Sequence, residues 1–211
     1  YVDDWLTGAD SEERTIAMTK EAEQIMGLGS FPLAKWASNC QAVKDELSKC
    51  FDGYKDVECL KVLGISWVTD EDCFVFHTLD VPEITLFTKR IVLSLSARIF
   101  DPLGLLAPFT ITLKLLFQKA WQIGCNWDDV LPNEFQIALR AWVTGLQEIT
   151  NWKIPRRITV QNWDSEFGKQ LIAFCDASEK AYECCIYLVT SCNGSCSSSL
   201  VMTKVKVAPL K

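Results

Sequence analysis

Histidine is almost missing from this 211-residue chain, and its one copy, His77, lies in an apolar β-type stretch. Sites assembled from several imidazoles are therefore excluded, and His77 reads as a packed or half-exposed hairpin residue rather than a catalytic base. Ser-His-Asp and Cys-His groupings and glycine-rich phosphate loops are also lacking. Nothing at the N-terminus resembles a signal peptide. The longest apolar stretch, Leu103 to Phe117, is broken by Pro108 and Lys114 and falls short of the roughly 20 residues a bilayer span needs; no membrane partner is expected. Excess positive charge is lacking too. The formal net charge is −6, which argues against an autonomous nucleic-acid binder, because that affinity comes mainly from Lys and Arg on phosphates. Basic residues do group at Lys89-Arg90, Arg156-Arg157 and Lys204-Val205-Lys206; each group suits a basic strip and equally an ordinary solvated surface.

Cysteine is plentiful, with ten copies, but the spacing is irregular and the knuckles typical of structural zinc are absent. These residues read as reduced thiols of an intracellular protein. Cys184, Cys185, Cys192 and Cys196 form one cluster, for which a zinc module stays open; on a strand, however, Cys184 and Cys185 point to opposite faces. Hydrophobic residues make up 49% of the chain, with eight Trp and eleven Phe, enough for a real core. The chain begins at Tyr1 without Met and stops at Leu210-Lys211 in β-type sequence, as a piece cut from something longer would.

Periodicity divides the chain into three stretches. Asp10 and Glu13 have capping-box spacing, and Met18, Ala22 and Ile25 continue a helix of about four turns until Gly27 and Gly29. A strand is expected over Phe31 to Trp36, at an edge because of Pro32, and a short helix over 40–50. Cys59 to Val68 and Cys73 to Thr78 read as strands joined by the polar turn Thr69 to Asp72. Then Ile91, Leu95 and Ile99 mark a helix ended by Asp101-Pro102-Leu103-Gly104, and a second helix over 108–123 completes a helical hairpin. Phe135, Leu139, Trp142, Leu146 and Ile149 make an apolar stripe on a third, with Asn133 as its cap. Leu171 to Cys175, Tyr182 to Thr190 and Leu200 to Val207 read as strands of a meander, with a Gly/Ser-rich loop over Ser191 to Ser199.

Tyr1-Val2-Asp3-Asp4 is the sharpest local motif. Two carboxylates at a hairpin tip suit a pair of Mg²⁺ ions in phosphoryl transfer, since these hard cations prefer carboxylate oxygen; the same residues also suit a solvated acidic turn. Followed by a helix, the Phe31 to Trp36 segment and Lys61-Val-Leu-Gly-Ile-Ser-Trp67, the order resembles the palm of a reverse transcriptase after its catalytic turn. That resemblance implies Asp3 and Asp4 as metal ligands and Leu63, Gly64 and Ile65 beside the primer terminus. By itself the Gly64 segment is also an ordinary hairpin strand.

Further on come Lys89-Arg90, Leu93-Ser-Leu-Ser-Ala-Arg-Ile-Phe-Asp-Pro-Leu-Gly-Leu-Leu-Ala-Pro108, Trp121, Trp127-Asp-Asp-Val-Leu-Pro132 and Ile154-Pro-Arg156. This succession resembles Bel/Pao retrotransposon Pol polyproteins. It implies a helical thumb leaning on a duplex, with Lys89, Arg90, Arg98 and Lys114 available for phosphates; close packing of a Ser/Ala-rich helix face is the alternative. Phe174-Cys-Asp-Ala-Ser178 with Ala181-Tyr182 resembles the first strand of retroelement RNase H-like domains, where Asp176 would open a four-carboxylate, two-metal site. Glu183 departs from the glycine common there, which puts the turn into the second strand in doubt, and a lone Asp leaving a strand also suits an Asx-turn.

The expected fold class is α+β: a partial reverse-transcriptase palm with β-hairpins over 1–84, a helical thumb/connection over 85–157, and the truncated start of an RNase H-like β-meander over 158–211. The implied function is that of a fragment of an RNA-directed DNA polymerase, inactive in isolation. Its partners are a template-primer duplex, deoxynucleotides and the rest of a Pol polyprotein, and its cofactor is Mg²⁺. A decayed or domesticated element, acting as a non-enzymatic nucleic-acid-binding or interaction module, is the alternative.

Overall fold

The computed structural model of the chain describes residues 5–50, 57–62, 65–76, 83–158, 168–192 and 195–210. The elements are α+β, five helices and two antiparallel sheets among the described residues, in two compact units. Unit 1 comprises Tyr1–Val75 with Ile154–Arg156, and unit 2 comprises Phe76–Lys153 with Arg157–Lys211.

Unit 1 begins with α1 (Glu12–Leu28), whose cap is Ser11 rather than Asp10: the Ser11 hydroxyl accepts from the Arg14 amide at 3.2 Å. Ser and Asp cap about equally well, so the one-residue shift costs little. The helix ends at the expected glycines, with Gly29 as its C-cap, and Ile25 stays 60% exposed. A Lys20–Glu46 ion pair at 2.6 Å joins α1 to α2 (Gln41–Cys50). No strand forms over 31–36; Lys35 sits at φ 58°, which breaks extended backbone there. The expected single strand over 59–68 is two, β1 (Cys59–Val62) and β2 (Ile65–Val68), paired antiparallel, with β3 (Cys73–Val75) beside β2 and β4 (Lys153–Pro155) at the far edge.

Asp72 organises this sheet. Its carboxylate accepts from the Arg156 guanidinium at 2.5 and 3.0 Å and from the Trp67 indole at 3.0 Å, and its carbonyl accepts from the Arg156 amide at 2.9 Å. Burial pushes the Asp72 carboxyl up, but the Arg156 hydrogen bond and charge, with Trp67 and Asn39, bring it below its ordinary value. The folded state therefore holds this proton less tightly than the unfolded state. The stabilisation is complete above the ordinary carboxylate range and is lost as pH falls through the lower folded value. Asp72→Asn, which also tolerates the positive φ of 50° at this position, should weaken unit 1 at neutral pH and flatten its stability against pH below the ordinary carboxylate range. Denaturation followed by Trp67 fluorescence at stepped pH measures this, and an unchanged acid slope would refute it.

Unit 2 holds the main core. Helix α3 (Lys89–Arg98) is capped by Thr88, α4 (Ala107–Gln122) carries Pro108 in its first turn, and α5 (Asn133–Ile149) follows. Asn133 is the first helical residue rather than the cap; Pro132 occupies that place and offers no side-chain cap bond. The five stripe residues of α5 are all buried, and they pack with Phe87, Val92, Leu95 and Leu113. Burying each is worth about 1.5–3 kcal/mol at most, far more than helix propensity adds. Phe109 stacks on Trp142 with centroids 4.7 Å apart, and the Trp142 indole donates to the Phe109 carbonyl at 3.2 Å.

The meander comprises β5 (Gly168–Ala177), β6 (Ala181–Cys192) and β7 (Ser195–Val207), with β6 central. The strands outrun expectation: most of Ser191 to Ser199, read as loop, continues the β6–β7 ladder, because cross-strand pairing supports Ser and Cys that weak propensity does not. A bulge beyond Ile186 leaves Val201 unpaired. The Asp101 carboxylate accepts from the Leu105 and Leu106 amides at 2.9 and 2.8 Å, holding the start of α4. Beside it, the Thr203 amide donates to the Leu103 carbonyl at 2.8 Å and fastens β7 to the helices.

Candidate functional site

Asp176 lies near the exposed end of β5, directly opposite Glu183 of β6. Side chains alternate along a strand and opposed residues share a face, so two carboxylates stand on one rung, with Cβ atoms roughly 4.5–5.5 Å apart in such pairs. Both residues are exposed. The turn into β6 is intact despite Glu183: the Ser178 amide donates to the Ala181 carbonyl at 2.8 Å, and the Ser178 hydroxyl accepts from the Lys180 and Ala181 amides. Sequence reasoning treated Glu183 only as a departure from glycine. Its place was recoverable, since residues equidistant from a tight turn at Ser178 to Ala181 must oppose each other.

Like charges on one rung repel, and a divalent cation is the natural relief. The donor type fits, because carboxylate oxygens suit a hard ion; the number does not complete a shell, since Mg²⁺ wants near-octahedral coordination. Among the described residues, no group of three or more His, Cys, Asp or Glu could hold a metal ion. Asp3 and Asp4 lie outside the described residues, as do Leu63, Gly64 and His77. Ile65 is half-buried in β2, paired with Val62.

The cations expected at a phosphate backbone have other occupations. Lys89 is buried, 3% exposed; its ammonium donates to the Cys125 carbonyl and lies 4.7 Å over the Trp121 ring. Arg90 makes a two-pronged ion pair with Asp128 at 2.7 and 2.9 Å, its guanidinium 5.9 Å from the Trp127 ring centre, and its amide donates to the Trp127 carbonyl. The Arg90 hydrogen bond and charge hold the Asp128 carboxyl below its ordinary value. Lys89-Arg90, Trp121 and Trp127-Asp128 are therefore parts of one cluster, locking the start of α3 to the 125–128 segment. Arg98 is exposed at the end of α3, and Lys114 is exposed on α4.

Compared with known protein families, residues 88–211 match the Pao retrotransposon-like RNaseH-like domain, over half of the chain's length. The chain belongs to this family. The Pao RNase H-like region thus spans α3 to α5 as well as the meander, beginning at the Thr88 cap. No curated protein matches the chain. RNase H-like domains generally use divalent metals; among the described residues no metal site is shown. No described helix is long and apolar enough to cross a membrane.

Lys89→Met keeps the apolar stem but leaves the Cys125 carbonyl without its donor. An unsatisfied buried polar group costs about 1–3 kcal/mol, and a loss of that size is expected in denaturant unfolding of unit 2. A variant as stable as the parent would return Lys89 to the set of candidate phosphate contacts.

Proposed function

We propose that this Pao-family chain is part of a retrotransposon Pol polyprotein, contributing to an RNase H-like nuclease that cuts nucleic acid and to the reverse transcriptase next to it. Residues 1–84 are read as the C-terminal part of the palm, 85–157 as thumb/connection helices that the Pao RNaseH-like match takes in from residue 88, and 158–211 as the β-meander of that region. The observation that carries the reading is the family match across 88–211, with Asp176 presented at the exposed end of β5 in that region. Asp3 and Asp4 are the polymerase carboxylates in this reading, and Leu63, Gly64 and Ile65 lie along the primer.

A divalent ion at such a site neutralises charge developing on the phosphate and lowers the pKa of a bound water. This chain's own part is to present hard oxygen. Asp176 is the ligand, held by the β5–β6 ladder and the Ser178 turn, and Glu183 supplies the second carboxylate on the rung. The Lys89 and Arg90 cluster serves shape, and Lys114, exposed on α4, is the candidate contact for the phosphate backbone. A net charge of −6 and a two-carboxylate rung suit a substrate held mainly by the rest of the polyprotein.

Mn²⁺ titrated into the purified 211-residue chain at millimolar levels is expected to broaden the amide signals of Cys175 to Ala177 and Tyr182 to Cys184, an effect removed by Asp176→Asn. Broadening that bypasses β5 and β6 would overturn the assignment of Asp176. In the same samples with Mg²⁺, neither extension of a primed template nor cleavage of an RNA–DNA hybrid should exceed a protein-free blank, because the two carboxylates cannot complete the coordination shell.

A further inference from the structure

One rung inward from Asp176 and Glu183, on the opposite face of the hairpin, Cys175 and Cys184 oppose each other directly across β5 and β6. Neither is used in the nuclease or polymerase reading. Opposed residues of an antiparallel pair have Cα atoms about 4.5 or 5.5 Å apart, according to rung type. Both values fall in the roughly 4.4–6.8 Å window that a disulfide tolerates. Register alone therefore brings the pair within bonding reach, without rearrangement of the backbone. Cys175 is exposed and Cys184 half-buried, so a reagent reaches the first more easily. Cys185, the immediate neighbour, does not compete: it projects from the other face and its thiol contacts the Phe174 carbonyl at 3.7 Å.

We propose that Cys175 and Cys184 are a redox-active dithiol that closes to a cross-strand disulfide at the expense of a small-molecule disulfide such as oxidised glutathione. The Cys175 thiolate attacks one sulfur of the reagent; the reagent's S–S bond breaks, and one glutathione leaves as thiolate and takes up a proton. The Cys184 thiolate then attacks the Cys175 sulfur of the mixed disulfide, and the second glutathione leaves in the same way. Two protein thiols are oxidised, one reagent disulfide is reduced to two thiols, and the two protons given up by the protein are taken up by the glutathiones. The order of attack follows from exposure. The resulting bridge lies beside the Asp176–Glu183 rung and braces the end of the hairpin that carries it.

The full chain, equilibrated in oxidised and reduced glutathione, alkylated and examined by intact mass and peptide mapping, provides the test. At Cys175 and Cys184 the expected product lacks two hydrogens and carries neither glutathione nor an alkyl group, and peptide mapping yields a cross-linked peptide joining them. Exposed Cys50 and Cys196 should carry plain glutathione adducts. Cys184→Ser, a near-isosteric change, should trap one glutathione on Cys175. Stable glutathione on Cys175 of the parent chain would overturn the proposal. So would a bridge from Cys175 to any other cysteine, or an unbridged pair once Cys50 is saturated.

Discussion

Gly104→Ala is expected to remove most of the stability of unit 2, by about 4 kcal/mol or more against the 5–15 kcal/mol typical of a domain. Gly104 has φ +70°, and an added Cβ would stand 1.8 Å from the Thr203 carbonyl oxygen and 2.7 Å from its carbon. Those atoms are backbone, so no side chain can rotate away. The strand must retreat, and the Thr203 amide bond to the Leu103 carbonyl, which fastens β7 to the helices, goes with it. Gly124→Ala is the control: φ is +72° there, yet nothing lies within 4 Å of the added carbon. It should lose only the left-handed backbone preference, about 1–2 kcal/mol. Denaturant unfolding of both variants separates the two effects, and equal losses would mean that the close approach to β7 contributes nothing.

Gln136→Ala is expected to lose about 3–5 kcal/mol, comparable with emptying a core leucine position such as Leu139. Gln136 is 7% exposed on α5. Its side-chain oxygen accepts from the Phe87 amide at 2.9 Å, and its nitrogen donates to the Phe87 and Leu131 carbonyls at 2.9 and 3.0 Å. The Leu131 amide also donates to the Phe87 carbonyl. Truncation leaves the Phe87 amide buried without a partner and opens a void beside the Phe87 ring, itself 1% exposed. Gln136→Glu should fall between, keeping the acceptor but losing the donor. Hydrogen exchange at the Phe87 amide reads the same event locally. Stability within about 1 kcal/mol of the parent would show that water or repacking replaces the side chain.

The helical stripe of α5 was readable because burial on a helix repeats every three to four residues, and all five residues meet that pattern. The meander was readable from alternation, but its ends were not: Ser195 to Ser199 have weak strand propensity and join the ladder through their β6 partners. Phe31 to Trp36 failed for the opposite reason, since apolar alternation suggested a strand where neither the backbone at Lys35 nor a partner supplies one.

The candidate site divides in the same way. Asp176 was singled out from its local strand and motif, whereas the opposing Glu183 needed the register of the turn. Lys89 and Arg90 were recognised as a basic group, but the Cys125 carbonyl and the Asp128 carboxylate that hold them lie 36 and 38 residues away. A charge carries no sign in sequence of whether it will meet a phosphate or a buried carbonyl.

From the sequence alone came the α+β class, the helical core of unit 2, the meander and the Pao resemblance, because these rest on periodicities and motifs written along the chain. Only the tertiary structure decided why Asp101 to Gly104 must have its composition and which cations are consumed. Those outcomes depend on segments distant in sequence coming within a few ångströms, where one backbone oxygen or one opposed side chain settles what a residue can do.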